Sequence, residues 1–412
     1  MAKDHYEVLI VGGGAAGITV AASLTRRSGG RSLSIAIVDP SDVHYYQPAF
    51  TLVGAGSCRL GSTRRMMRSL IPSGVDWIQE RCATFEPENN KIILDSGSAL
   101  SYDNLVVCTG LELIWDKIEG LEDTLGSNGV CSNYSPGTVE YTWECLQSLG
   151  AGANAVFTQA PLPFKCPGAP QKIVYLTADH LRKKGIADSC SITFNLHGPA
   201  IFGVPYFAER LVKVAERYAV TLGYQRNLVA VDGGAKKATF EDVSEGGGGR
   251  DTVDFDMLHV TPHQSPPECV KASPLANDAG FVDVDQNSMQ STRFENVFAL
   301  GDVGSTPNSK TAAAVRKQAP VVVTNLLARM AGNTGTAQYD GYGSCPLTTA
   351  YGKAIIAEFV YGGKVTPTPP LNPASESMPN WMIKKTGLPL LYWNYMLKGH
   401  ETFPAHNTGW TE

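Results

Sequence analysis

Gly12-x-Gly14-x-x-Gly17 follows directly on a short apolar run, Tyr6 to Val11, and opens an amphipathic stretch, Ala15 to Arg27. The run predicts a buried parallel strand. The stretch predicts a helix with Ile18, Ala21, Ala22 and Leu24 on its core face. A second strand, Leu33 to Val38, ends at Asp39. Strand, glycine turn, helix, strand and acid in that order restrict the chain to an α/β fold that begins with a βαβ unit. Gly12 permits the turn, Gly14 lets backbone approach a pyrophosphate, and Gly17 lets the helix lie on the strand. Ala16, between them, belongs to the same cradle. The free N–H groups of the helix start would hold the pyrophosphate, and Asp39 would accept from a ribose hydroxyl.

The next comparable strand, Ala155 to Thr158, runs into a different kind of loop, Ala160 to Lys172, with four prolines, Lys165 and Cys166. A nicotinamide site needs glycines there. The chain is therefore expected to bind one dinucleotide, FAD, and to bring a thiol to it. Cys108-Thr-Gly110 closes another strand, Leu105 to Cys108, after Lys91 to Leu94. Leu300-Gly-Asp302 ends a distant strand and resembles the second half of the site in FAD proteins of this build, which implies that Asp302 binds the ribityl chain and that the helix from Lys310 aims its positive end at the flavin. Further strands are read at Ser191–Leu196, Asn227–Val231 and Met257–Thr261, with a helix at Phe207–Tyr218 and a hairpin or loop at Gly246–Gly249. The helix from Lys310 to Ala331 contains Pro320. The expected fold is α/β, with two Rossmann-like dinucleotide-binding domains. A glutathione-reductase-like FAD domain spans 1–125 and 275–338, and a degenerate second domain spans 126–274. A C-terminal interaction region over 339–412 is rich in Pro, Tyr, Trp and Leu.

Net charge is −5 and no long Lys/Arg run occurs, so nucleic acid is not an expected partner. The nine cysteines show no CxxC or Cys/His metal spacing, which excludes an expected zinc site or disulfide framework. No apolar run reaches the ~20 residues of a membrane span, and no signal peptide is visible. Two cysteines sit in loops before proline, Cys166 and Cys345, with Lys165 and Lys172 near the first. A nearby ammonium would favour a thiolate. On spacing alone, two buried loop cysteines fit as well.

His44-Tyr-Tyr-Gln-Pro48, Ser132-Asn-Tyr-Ser135, Lys165-Cys-Pro-Gly-Ala-Pro-Gln-Lys172, His259-Val-Thr-Pro262, Ser309 to Ala314, Tyr342 to Leu347 and Leu391-Tyr-Trp-Asn394 carry a resemblance that covers nearly the whole chain. It resembles the sulfide:quinone oxidoreductases, flavoproteins with two dinucleotide-binding domains, and most of all their mitochondrial branch. The resemblance implies that hydrogen sulfide is oxidised at a redox pair, Cys166 and Cys345, through FAD, with two electrons passed to a ubiquinone-type quinone or menaquinone. A small acceptor (sulfite, glutathione, cyanide or sulfide) would take the sulfur. Gln47 and Lys310 match FAD-contacting positions, and the backbone of Cys82 would meet the adenine. Cys131 is placed where a bacterial branch has a third functional cysteine. Trp381 to His400, flanked by Lys384, Lys385 and Lys398, would meet a membrane surface, with Tyr46, Pro48, Phe359, Tyr392 and Trp393 lining a quinone site. The expected location is peripheral, on a bacterial or mitochondrial inner membrane, and a homo-oligomer is left open. The alternatives are the flavin subunit of a flavocytochrome c sulfide dehydrogenase, a type II NADH:quinone reductase, and a non-enzymatic flavoprotein.

Overall fold

The computed structural model describes residues 3–368 and 372–401, so the end of the expected C-terminal region lies outside the described residues. His5–Val11 runs parallel to Ile35–Val38 on one side and to Ala99–Val107 on the other. Val75–Ile78 extends the sheet beyond Ile35–Val38. Val297–Ala299 returns from far along the chain to pair with Leu105, Val106 and Val107. The central stretches 8–11, Ile35–Val38 and 105–107 are wholly apolar because both faces are covered there; Leu9, Ile10, Ile37 and Val106 are fully buried. The helices Ala15–Arg27 and Ala312–Met330 pack together on this sheet, and Pro320 lies inside the second.

A second sheet is entirely parallel. Its order is Val130–Cys131, Met257–His259, Asn154–Gln159, Ser191–Leu196 and Thr221–Tyr224. Two nucleotide-binding-type sheets are thus present, as expected. One strand moves: Arg226–Asp232, read from the sequence as part of this unit, instead forms a separate antiparallel sheet with Lys237–Asp242 and Arg250–Asp254. Thr221–Tyr224, which has a glycine and little apolar content, takes the parallel position.

Cys345 does not lie in a loop. It belongs to a hairpin, Gly343–Ala350 with Lys353–Phe359, where it faces Ala357. Pro346 lacks a backbone donor, which only a strand with a free edge tolerates; this two-stranded sheet provides one. The hairpin lies on the helix Ala169–Lys184, so Leu347, Ile355, Ala357 and Phe359 share a core with Ile173, Leu176, Phe202 and Phe207. Burying each large apolar side chain contributes about 1.5–3 kcal/mol. That packing sets Cys345 against the start of the helix.

Candidate active site

The glycine turn has the shape of a cradle. Gly12 holds φ +106°, and a Cβ there would meet the Cys108 carbonyl oxygen at 2.4 Å. A Cβ on Gly17 would lie 1.9 Å from the Gly12 carbonyl oxygen, whereas one on Gly14 would meet nothing within 4 Å. Gly14 caps the helix Ala15–Arg27 without any side-chain acceptor, which leaves the first N–H groups for an anion. Asp39 accepts from the Gly13 N–H at 2.6 Å and the Ser41 N–H at 2.8 Å. Burial raises its pKa, against those two donors. Gly301 turns at φ +77°, with Ala16 and Val315 closest to where its Cβ would be, so the two halves of the cradle touch. Gly110, at φ +69°, also needs its glycine, and Gln47 is exposed beside the buried Tyr46. An open space over an uncapped helix start, an acid at the end of the second strand and a turn carrying Asp302 fit a dinucleotide.

Lys310 does not project forward from its helix. Thr311 is the cap, its side chain accepting from Ala314 N–H, and Lys310 Nζ turns back to the carbonyls of Gly304 and Thr306. Burial brings its pKa down to about 8, with Asp302 opposing. Burial raises Asp302 in turn, and Lys310 and Lys165 oppose that. The charge of Lys165 thus acts on Asp302, whereas the ammonium groups that act on Cys166 are Lys172 and Lys384, of which the sequence suggested only Lys172.

Cys166 sits at φ +53°, a left-handed conformation that costs a non-glycine residue of order 1–3 kcal/mol. Backbone bonds on both sides hold it there: its N–H donates to the Lys310 carbonyl at 2.7 Å, and its carbonyl accepts from Ala169 N–H at 2.7 Å. The first bond fastens the thiol loop to the Asp302–Lys310 segment. Helical side chains lean toward the N-terminus, so Lys172 points back and places Nζ 3.2 Å from Cys166 Sγ. A Cβ at Gly168 would lie 3.5 Å from Cys345 Sγ and 2.6 Å from Leu347 Cδ2, so only glycine lets the hairpin come this close. Cys345 is fully buried and Cys166 half-buried. The two thiols hydrogen-bond each other. That bond and the Lys172 ammonium hold Cys166 well below the ordinary thiol range, against burial. The same bond and burial push Cys345 up. The helix start adds a positive end to the same spot.

Next to this pair lies an aromatic cluster. The Tyr46 and Tyr392 rings are 4.7 Å apart, and Tyr392 meets Trp393 at 5.0 Å. His44 donates from Nδ1 to the Gly13 carbonyl at 3.2 Å and accepts the Tyr392 hydroxyl at Nε2 at 2.5 Å. Burial lowers its pKa to about 4, so it is neutral and can hold both bonds. Phe359 is not in this cluster; it lies against Phe202 at 5.9 Å, in the hairpin core. Cys131 is not brought to Cys166 either; its thiol partner is Cys145. Cys82 donates to the Thr84 carbonyl and pairs with Cys269.

A family model for pyridine nucleotide-disulphide oxidoreductases matches residues 6–136. The mitochondrial sulfide:quinone oxidoreductase of Dictyostelium discoideum is 43% identical over 96% of this chain and 87% of its own length. The mouse enzyme of the same name is 43% identical over 98% of this chain and 89% of its own. The chain belongs to the sulfide:quinone oxidoreductase family. A solved sulfide:quinone oxidoreductase from Aquifex aeolicus shares its fold, with TM-score 0.78 and 20% identity over 97% of this chain and 92% of that one.

Within this sulfide:quinone oxidoreductase fold, one group at the site escaped sequence reading. Lys384 reads as a lysine flanking an amphipathic segment, yet it is buried, with Nζ 3.5 Å from the Pro48 carbonyl. Burial and Lys172 lower its pKa to about 7, while Cys166, Cys345 and Cys58 oppose. The cause is a π-helical turn, Ile383–Gly387, between the helices Met378–Met382 and Leu388–Asn394. Such turns rotate a side chain off the helical period and recur at functional sites. A charged residue in an otherwise aromatic run was the only available signal.

Proposed function

We propose that this chain is an FAD-dependent sulfide:quinone oxidoreductase whose redox pair is Cys166 and Cys345. The domains divide as 1–125 with 275–338, 126–274, and 339–412. The observation that carries the reading is the convergence of Cys345, Cys166 and Lys172 Nζ at one helix start tied to the Asp302–Lys310 segment. When bound, FAD supplies the two-electron exchange between thiol and quinone. The Gly12–Gly17 turn, Asp39, Gln47, the Cys82 backbone, Gly110, Asp302 and Lys310 are the residues that would hold it.

Sulfide, as HS⁻, attacks the Cys345 sulfur of the oxidised pair. The bond to Cys166 breaks, and Cys166 leaves as a thiolate beside the Lys172 ammonium. Cys345 then carries the incoming sulfur as a persulfide. Sulfite, glutathione, cyanide or a second sulfide removes that outer sulfur and leaves Cys345 as a thiolate. The two thiolates re-form their bond and release two electrons. Lys384, buried and with a pKa brought to about 7, feels the charge on both sulfurs and can hold or give up a proton there. Sulfide-dependent reduction of decylubiquinone by the FAD-loaded chain is the expected activity, and its absence would overturn the reading.

Lys172→Met should slow sulfide-dependent flavin bleaching roughly tenfold, because a leaving thiol of higher pKa leaves more slowly. The sign for pH follows: without the ammonium, Cys166 becomes a thiolate only at higher pH, so the rising limb of the bleaching rate moves upward. Stopped-flow absorbance across pH measures it; an unmoved limb would remove Lys172 from this role.

Tyr46, Pro48, Tyr392 and Trp393 are the proposed quinone contacts. Trp393→Ala should raise KM for decylubiquinone about tenfold and leave sulfide bleaching unchanged. An unchanged KM would exclude Trp393.

No helix among the described residues is long and apolar enough to cross a membrane. Met66, Leu390 and Tyr395 are exposed, and Arg65 lies 4.8 Å over the Trp393 ring, which joins the 64–66 strand to the C-terminal helix. We propose that this apolar and basic rim lies in a mitochondrial or bacterial inner-membrane interface. Met66→Asp with Leu390→Asp should abolish co-sedimentation with phosphatidylcholine–phosphatidylglycerol vesicles. Full retention on the vesicles would exclude this surface.

A further inference from the structure

Cys131 and Cys145 form a second thiol pair, in a different part of the second sheet. Cys131 ends the edge strand Val130–Cys131, two strands from the one that feeds the Cys166 loop. Cys145 lies on the helix Val139–Ser148, which packs over that edge. Cys131 is fully inaccessible, and its Sγ lies 3.6 Å from the Leu258 carbonyl oxygen, so its single S–H can turn to that carbonyl or to Cys145. Cys145 is only 4% exposed, at the wall of a surface cavity of about 440 Å³ that Asn128, Tyr141, Glu144, Lys236 and Asp256 also line. The Tyr141 hydroxyl accepts from Gly129 N–H at 3.0 Å and donates to Cys145. Both cysteines are unbridged, and each is the other's side-chain hydrogen-bond partner. One thiol at a cavity wall, with a hydroxyl donor on it and a second, enclosed thiol bonded to it, is the layout of an attacking and a resolving cysteine.

We propose that Cys145 and Cys131 form a second reactive site, which takes sulfane sulfur from small hydropersulfides entering the cavity and ends as a Cys131–Cys145 disulfide. Lys236 beside Glu144 and Asp256 gives the mouth one cation and two anions, which suits a zwitterionic, peptide-like carrier. The Cys145 thiolate attacks the outer sulfur of R–S–SH. The S–S bond breaks, RS⁻ leaves, and Cys145 becomes a persulfide. Cys131 then attacks the Cys145 sulfur, and the outer sulfur departs with both remaining protons as H₂S. Two thiol sulfurs are each oxidised by one electron, and the sulfane sulfur is reduced by two. The Cys131 S–H, when turned to Cys145, and then the Tyr141 hydroxyl hold Cys145 below the ordinary thiol range against burial, which favours it as attacker. The site rests on the proposed activity only for its natural supply of hydropersulfide.

The test therefore adds glutathione hydropersulfide directly to the anaerobic, FAD-loaded full chain, so it holds whether or not sulfide bleaches the flavin. Peptide mass spectrometry after alkylation should find residues 131 and 145 cross-linked, with one sulfide released per cross-link. Cys131→Ser should stop the reaction at a Cys145 peptide one sulfur heavier, and Cys145→Ser should leave Cys131 unmodified. Retained flavin absorbance shows that each variant is folded. Half-buried Cys58 and Cys190 serve as internal references, and Cys145 should react at least about tenfold faster than either. Free thiols at both positions, or persulfidation of Cys190 at the same rate as Cys145, would overturn the proposal.

Discussion

Replacing Cys345 by serine should abolish sulfide-dependent bleaching of the flavin, and replacing Cys166 should do the same, each by roughly a thousandfold or more. Neither hydroxyl can form the sulfur–sulfur bond that HS⁻ attacks, and the loss does not depend on which acceptor removes the sulfur. Stability should change far less. Cys345→Ser buries a hydroxyl within a fully enclosed hairpin and costs about 1–3 kcal/mol. Cys166 is half-buried, and its backbone bonds to Lys310 and Ala169 survive the change. Both variants should therefore keep FAD and still accept electrons from dithionite. Normal bleaching by sulfide in either one would break the assignment of the pair.

Gly17→Val should yield a chain that cannot hold FAD. Its Cβ would overlap the Gly12 carbonyl oxygen, separated by 1.9 Å, so helix and turn cannot both keep their places. A clash between backbone elements in the first βαβ unit should cost more than about 4 kcal/mol. Gly14→Ala is the informative companion. Nothing stands within 4 Å of that Cβ, so the chain should fold with little change in Tm. Its methyl group would nevertheless enter the space above the uncapped helix start. FAD affinity should fall roughly tenfold to a hundredfold, as for a displaced pyrophosphate contact. Isothermal titration of the FAD-stripped protein reads both. Undiminished FAD affinity in Gly14→Ala would place the dinucleotide elsewhere.

Much of the frame was legible because it depends on local chemistry. The Gly12–Gly17 turn, the apolar strands around it and the Gly301–Asp302 turn follow from backbone freedom and burial on both sheet faces. The thiol loop was legible in its residues but not in its partners. Lys165 and Lys172 are equally good candidates in sequence; the lean of helical side chains sends Lys172 to Cys166, while Lys165 exerts its charge on Asp302. Cys345 was misplaced because Gly343, Pro346 and a nearby Gly341 are turn formers, and only a two-stranded hairpin with a free edge absorbs a proline. The meeting of Cys345 with Cys166 depends on Gly168 and on the hairpin's packing over the helix Ala169–Lys184, which no local pattern reports. Phe359 and Lys384 mark the same limit from two sides. Phe359, expected at a quinone, packs against Phe202 in the hairpin core, and Lys384, expected at the flank of a membrane-facing segment, is buried with Nζ against the Pro48 carbonyl.

The most direct measurement is an anaerobic titration of the FAD-loaded protein, with the flavin absorbance followed as sulfide or NADH is added. Sulfide should bleach the flavin, decylubiquinone should restore its colour, and NADH should leave it untouched, because the loop from Ala160 to Lys172 offers a thiol where a nicotinamide dinucleotide would need glycine. Bleaching by NADH with no response to sulfide would contradict the assignment of this chain to sulfur chemistry.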